Sequence, residues 1–167
     1  YLEKILEADQ DVRNSEKSAE LISTYGIDSP EYMEYIDSQW KQDEINLLKI
    51  EKYLEIHGYP NKEMGETATT APWMVIHHAQ GYDVRERNFK IIYKAYLKGN
   101  IDENAISFYL GRMYEMKNGK RLKMKSPYKI SDEIDQLIIG LDLEKQKKEV
   151  LKRIEEIHRT TTAMSNA

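Results

Sequence analysis

The sequence contains no cysteine, and this absence excludes disulfide bonds, thiolate nucleophiles and cysteine metal ligands. The absence of cysteine is compatible with a cytoplasmic protein and with an exported one. No run of about 18 consecutive apolar residues occurs, so we expect no transmembrane segment. The first residue is Tyr1 and not methionine, from which we expect that residues upstream were removed or left out.

A strong excess of positive charge is also lacking. The formal net charge is -4, with 32% charged and 40% hydrophobic residues, which is typical of an ordinary globular protein. Basic residues gather between Lys117 and Lys129, but Met, Leu and Pro dilute them, so we interpret this stretch as a solvated surface. We therefore expect no nucleic-acid partner. The sequence makes no prediction of oligomeric state.

The 167 residues present are enough for one domain with a hydrophobic core. Apolar residues recur at helical spacing, which predicts a mainly α, compact multi-helix domain over residues 1–159. Residues 160–167 are polar, and we expect a disordered tail there. The first helix is predicted from Leu2 to Leu21. The second begins at Asp28-Ser29-Pro30 and ends at His57-Gly58, either as one long helix or as two helices joined by a kink.

One β-element is expected between the later helices. Asn118-Gly119 is typical of a tight hairpin turn, and apolar residues flank it on both sides. We therefore predict a small β-hairpin near residues 113–125.

Several polar residues occupy helix positions whose neighbours on the same face are apolar. On the second helix, the face formed by Trp40, Leu47, Ile50 and Leu54 also contains Asp43, with Asn46 beside it. On the first helix, Asp9 and Arg13 share a face with Leu2 and Leu6, and Gln10 lies beside them. On a later helix, the predicted apolar face formed by Ile101, Ala105 and Phe108 also contains Arg112. Unpaired burial of such groups is costly, so they are expected to find partners or water.

Two histidines interrupt an otherwise apolar stretch, Trp73 to Gln80. Adjacent helical residues point about 100° apart, so His77 and His78 cannot readily hold one metal ion together. The zinc motif with two histidines four residues apart is absent, and we predict no metal site and no cofactor. One histidine is expected to donate to a carbonyl in the core. The other, if it faces Asp43 or Asp9, would be an oriented imidazole able to transfer protons near neutral pH.

Short blocks in a fixed order resemble a bacterial protein family designated domain of unknown function 6624. The resemblance covers nearly the whole chain up to about residue 155. The blocks are Asp9-Gln10 with Arg13; Trp40, Asp43 and Asn46; His57-Gly58-Tyr59-Pro60 with Gly65; His78; Gly99; Leu110 with Arg112; and Ile134 to Leu143 with Gly140-Leu141.

The chain departs from the family pattern at two places. The family has Gln-His where this chain has His77-His78, so His78 is the matching histidine. After the predicted hairpin the family has approximately Gln-x-Tyr-Gly-Thr, whereas residues 122–126 here read Leu-Lys-Met-Lys-Ser. The resemblance implies a bacterial protein and supports the set of site residues, but it implies no substrate.

Three interpretations of the polar residues are open. The first is an enzyme, a hydrolase or transferase with a small anionic substrate, in which His78 is the general acid or base and Asp43 its orienting partner. Arg13 and Arg112 would then bind a carboxylate or phosphate. The second is a non-catalytic domain that binds a small anionic ligand or a peptide, and the third is a structural polar network. Under the first two, the ligand-binding residues are Asp9, Gln10, Arg13, Asn46 and Arg112.

Overall fold

The structure is a computed structural model that describes residues 1–165, and its contacts divide the chain into two compact units, unit 1 (Tyr1–Arg85) and unit 2 (Glu86–Ala167). The described residues form helices and no strand, which confirms the mainly α prediction. None of these helices is both long and apolar enough to cross a membrane. The helices are α1 (Leu2–Asp11), α2 (Ser15–Tyr25), α3 (Pro30–His57), α4 (Glu66–His78), α5 (Tyr82–Leu97), α6 (Glu103–Asn118), α7 (Ile130–Gly140) and α8 (Glu144–Ser165), with a short 3-10 helix at Lys62–Met64. The single domain over residues 1–159 stays a prediction.

The first predicted helix is in fact two, separated by residues 12–14. The side chain of Asn14 accepts a hydrogen bond from the backbone N–H of Lys17 at 2.9 Å, so Asn14 caps the beginning of α2. The hydroxyl of Tyr35 on α3 lies 3.0 Å from two carbonyl oxygens within this break, those of Val12 and Asn14, to which it donates. The prediction of one continuous helix from Leu2 to Leu21 is therefore wrong, because a capping residue and a tertiary hydrogen bond end α1.

The second predicted helix is one continuous helix, α3. Ser29 caps its beginning by accepting from the N–H of Tyr32 at 3.2 Å, and Pro30 occupies its first turn. Gly58, at φ 72°, ends it. The buried face of α3 includes Tyr35, Asp43, Asn46, Ile50 and Leu54. Within unit 1, α3 packs against α1, α2 and α4, and α1 also packs against α4.

The predicted β-hairpin near residues 113–125 is absent from the described residues. Helix α6 continues through Asn118, and Gly119 ends it in the left-handed conformation at φ 68° and ψ 8°. A glycine that accepts this conformation suits a helix end as well as a hairpin turn, and asparagine before glycine does not distinguish the two. The helix prevails because Ile106, Tyr109, Leu110 and Met113 form a fully buried face.

Unit 2 has a core in which α6 packs against α7. Residues from both helices are completely or almost completely buried, as are Leu141 and Leu143 in the turn that follows α7. Helix α8 continues through Ser165, whereas residues 160–167 were expected to form a disordered tail. The hydroxyls of Thr160, Thr161 and Thr162 each donate to the carbonyl four residues earlier, which accommodates these polar residues in a helix. Residues 166 and 167 lie outside the described part.

Candidate functional site

The break between α1 and α2 positions two of the predicted site residues. Asp9 lies in the last turn of α1 and is completely buried. Arg13 follows the end of that helix, and its backbone N–H donates to the carbonyl of Gln10 at 3.0 Å. Because Arg13 lies outside a helix, its side chain can fold back over the end of α1 and also reach α3.

The closest contact between α1 and α4 at this site joins His78 to Asp9. The Nδ1 atom of His78 lies 2.9 Å from Oδ2 and 3.1 Å from Oδ1 of Asp9. A carboxylate can only accept hydrogen bonds, so Nδ1 carries the hydrogen of this contact. The Nε2 atom of a neutral His78 then holds the free lone pair. The His78 side chain is 21% exposed, whereas that of Asp9 is fully buried.

Arg13 connects the two buried carboxylates. Its Nη2 donates to Oδ1 of Asp43 at 2.5 Å, and its Nη1 donates to the backbone carbonyl of Asp9, also at 2.5 Å. Nη1 lies 3.3 Å from Oδ1 of Asp9 as well. The planar guanidinium has separate N–H groups for separate acceptors, which a lysine ammonium could not place in this way. Asp9, Arg13, Asp43 and His78 therefore form one connected group, which we call the polar cluster.

Burial and the charge of Arg13 have opposite effects on the pKa of Asp43. Removal of the carboxyl group from water raises the pKa of Asp43 above its ordinary value of 3.8, and the hydrogen bond and positive charge of Arg13 offset part of this increase. The nearby Asp9 carboxylate also raises the pKa of Asp43, and His78 lowers it. The two carboxylates and the guanidinium together carry one negative charge, so a protonated His78 would make the polar cluster neutral.

The members of the polar cluster differ in their exposure to solvent. The side chains of Asp9 and Asp43 are 0% and 4% exposed, whereas those of Arg13 and His78 are 22% and 21% exposed. The carboxylates thus lie behind, and the two nitrogen-bearing side chains face solvent. A molecule approaching from solvent would meet the guanidinium and the imidazole first.

Two amide side chains extend this arrangement. Gln10 is an exposed residue, and its Nε2 donates to Oδ2 of Asp9 at 2.7 Å. Asn46 is completely buried, and its Oδ1 accepts a hydrogen bond from Nε2 of Gln42 at 2.9 Å. Asn46 lies three residues after Asp43, so both side chains share the buried face of α3.

The sequence reasoning missed one residue that supports the end of α4. Arg85 is almost completely buried, and its guanidinium donates to the backbone carbonyl of His77 and, at 3.0 Å, to that of Gly81. These bonds satisfy one carbonyl in the last turn of α4, next to His78, and one carbonyl shortly after that helix. The signal that could have found Arg85 is a charged residue on the same helix face as Phe89 and Ile92.

The carboxylate bonded to His78 is Asp9 and not Asp43, which corrects the predicted orienting partner. Both α1 and α3 pack against α4, but the contact to His78 is made by Asp9 on α1, whereas Asp43 on α3 accepts from Arg13 in the break after α1.

Arg112 does not lie on the inward face of its helix, and that part of the prediction is wrong. Its side chain is 51% exposed, and its Nη1 lies 3.6 Å from Oε2 of Glu115. Phe108 is exposed too, because the buried face of α6 is rotated from the predicted one. Arg112 belongs to unit 2, whereas the polar cluster belongs to unit 1.

Within residues 1–165, no group of three or more His, Asp or Glu side chains is placed to hold a metal ion. No family model, curated protein or solved structure matches the chain. Membership of the family designated domain of unknown function 6624 therefore stays a hypothesis, supported by the order of the short sequence blocks.

Proposed function

We propose that unit 1 carries the site of a small-molecule enzyme, a hydrolase or transferase, that acts on a small anionic substrate. In this proposal His78 is the general base and acid, Asp9 orients its ring, and Arg13 binds the anionic group of the substrate. The observation that supports it most strongly is the contact of His78 Nδ1 with both oxygens of the buried Asp9. An imidazole oriented by a carboxylate in this way is a common general acid and base in enzymes.

The orientation of the imidazole favours chemistry at Nε2. Because Asp9 accepts the hydrogen of Nδ1, the lone pair of a neutral His78 lies on Nε2, and the side chain as a whole is 21% exposed. In a hydrolysis, Nε2 would take a proton from water while the water oxygen forms a bond to carbon or phosphorus. The bond to the leaving group then breaks, and His78 returns the proton to that group.

Arg13 has N–H groups beyond those it uses for Asp9 and Asp43. Its partial exposure beside His78 suits it to bind a carboxylate or phosphate oxygen in front of the buried carboxylates. Such an anion would lie next to a neutral or positive imidazole, and the negative charges of Asp9 and Asp43 would be shielded by the guanidinium. This arrangement favours an anionic group at the solvent side of the polar cluster.

A ligand-binding domain without catalysis is the second candidate. One observation favours it: among residues 1–162, no serine or threonine hydroxyl forms a hydrogen bond with His78 that would mark it as a nucleophile. An enzyme built on this site must therefore use water or a second substrate as the nucleophile. A binding domain would need only the donors of Arg13 and His78.

Hydrolysis of p-nitrophenyl phosphate, bis(p-nitrophenyl) phosphate and p-nitrophenyl acetate tests the proposal directly. We expect His78→Gln to lower the rate on a cleaved substrate by about 100-fold or more. His158→Gln, at an exposed histidine of α8, is the matched control and should leave the rate unchanged. Equal rates for wild type and His78→Gln would contradict an enzymatic role of His78.

The second candidate predicts a different pattern with inorganic phosphate as the probe. Phosphate would then bind to the wild-type protein, as measured by chemical-shift changes of the His78 ring, and Arg13→Gln would abolish the binding. None of the three p-nitrophenyl compounds would be cleaved. If phosphate does not bind and none of these compounds is cleaved, the polar cluster is a structural network.

A further inference from the structure

The amide of Asn46 is buried and only half satisfied. Its Oδ1 accepts from Gln42, but its Nδ2 has no hydrogen-bond partner among the residues that the structure describes. The Nδ2 atom of Asn46 is therefore a buried donor that the described residues leave unpaired. Buried polar groups are rarely left in this state in folded proteins.

The position of Asn46 connects this atom to the polar cluster. It lies three residues after Asp43, which corresponds to about 4.5 Å along the axis of α3. The same helix packs against α1 and α4, which carry Asp9 and His78. Asn46 is thus on the buried face of α3 that also carries Asp43, and that helix packs against both helices of the His78–Asp9 contact.

We propose that Asn46 determines substrate specificity by donating a hydrogen bond from Nδ2 to an uncharged oxygen of the substrate. The inference rests on the proposed function, in which Arg13 binds the anionic group of the same substrate. A carbonyl or hydroxyl oxygen fits this position better than a second anionic group, because Asp43 and Asp9 lie nearby and would repel it. The substrate class is therefore a small organic anion that also carries a carbonyl or hydroxyl oxygen.

A stability comparison tests the state of Asn46 without any ligand. Leucine has the same branching as asparagine and no polar atoms, so Asn46→Leu should leave the melting temperature unchanged or raise it. Gln39→Leu is the matched control, because Gln39 lies on the same helix and its Nε2 donates to the carbonyl of Val12 at 2.9 Å. We expect that control to melt at a lower temperature than wild type.

A second pair of variants addresses the larger volume of leucine. If Asn46→Leu does not fold, Asn46→Ala is compared with Gln39→Ala, and we expect the smaller loss at Asn46. A fall of about 3 °C or more for Asn46→Leu, or a larger loss for Asn46→Ala than for Gln39→Ala, would show that the amide is a satisfied structural group. Either result would overturn the inference.

Binding of two matched probes tests the substrate class. N-acetylglycine has a carboxylate and an amide carbonyl, whereas pentanoate has a similar length and lacks the carbonyl. We expect wild type to bind N-acetylglycine at least several-fold more tightly, and Asn46→Leu to bind both equally. Equal affinity in wild type, or no binding of either probe, would overturn the inference. These measurements do not depend on turnover. A failure of the Asn46 inference can therefore be told apart from a failure of the proposed catalysis by His78.

Discussion

Asp9 accepts hydrogen bonds through both carboxylate oxygens from His78 while its own side chain is completely excluded from solvent. The same carboxylate accepts from Gln10 and lies 3.3 Å from the guanidinium of Arg13. A buried carboxylate is stable only with such donors around it. Asp9 is therefore the residue on which the other members of the polar cluster depend most.

Replacement of Asp9 by asparagine should destabilise the protein strongly. The variant keeps the shape of the side chain but removes the negative charge that faces His78 and Arg13. We expect the free energy of unfolding in urea to fall by about 3 kcal/mol. Glu7→Gln, at an exposed position of the same helix, should change it by less than about 0.5 kcal/mol. A loss of similar size in both variants would show that the Asp9 contacts contribute little.

The pKa of Asp43 predicts a particular dependence of stability on pH. Burial raises this pKa in the folded state above 3.8, so the native protein binds the proton more tightly than the unfolded chain does. Stability relative to Asp43→Asn should therefore fall as the pH rises from about 3.8 to the folded pKa, and then stay constant. Urea unfolding of both proteins between pH 3.5 and 7 measures this difference.

Asp37→Asn is the control for the loss of a carboxyl group, since Asp37 is exposed on the same helix. An advantage of wild type over Asp43→Asn that grows with rising pH would contradict the prediction. It would mean that the charge of Arg13 outweighs the burial of Asp43 in the folded protein.

Local signals predicted several features of the fold correctly. Ser29-Pro30 and Gly58 mark the beginning and end of α3, because capping and helix termination depend on the residues at those positions. Asp43 and Asn46 are buried on α3, as expected from the apolar positions around them. Helix faces and caps are properties of short segments, so they can be read from sequence.

The features that the sequence did not predict depend on tertiary packing. In the sequence, Asn14 is an ordinary polar residue. In the structure, its side chain accepts from the N–H of Lys17 and its carbonyl accepts from the hydroxyl of Tyr35, and these bonds stabilise the break between α1 and α2. Asp9 and Asp43 are both aspartates on apolar helix faces, and both of their helices pack against α4. Only the tertiary structure shows that Asp9 is the one that contacts His78. On α6, a rotation of the buried face by about one residue moves Arg112 from the predicted interior to the surface.

Substitution by alanine at two glycines of unit 2 should change the stability of the protein in opposite directions. A Cβ atom at Gly140 would lie 2.6 Å and 3.2 Å from two ring carbons of Tyr114. At these distances the atoms overlap, so the ring or the helix would have to move. We expect Gly140→Ala to destabilise the protein by about 1 to 3 kcal/mol. At Gly111, within α6, a Cβ would meet no atom within 4 Å, so Gly111→Ala should stabilise the helix by about 0.5 to 1 kcal/mol.

Thermal and urea unfolding of both glycine variants measure these effects. Combining Gly140→Ala with Tyr114→Leu should restore most of the lost stability if the ring causes the loss. An equal cost of Gly140→Ala with and without Tyr114 would show that the ring contact is not responsible.

Arg13 and Asp43 should be strongly coupled in a double-mutant cycle. The guanidinium donates to Asp43 at 2.5 Å in a largely buried position. Arg13→Gln therefore leaves the buried Asp43 carboxylate without its cation, and Asp43→Asn leaves the guanidinium with one carboxylate, that of Asp9, in place of two. The double variant removes both charges, and we expect it to be more stable than the sum of the two single losses implies. A coupling energy of about 1 to 3 kcal/mol from urea unfolding would agree with this contact.

The exposed pair Lys90 and Glu149 is the matched control, because both side chains are more than two-fifths exposed. Water and salt screen such a pair, so Lys90→Gln and Glu149→Gln should be nearly additive. If the Arg13 and Asp43 variants were also additive, the guanidinium would not be held by this carboxylate in solution. Arg13 would then be free to turn towards solvent, and its placement beside His78 as the anion-binding residue would lose its structural basis.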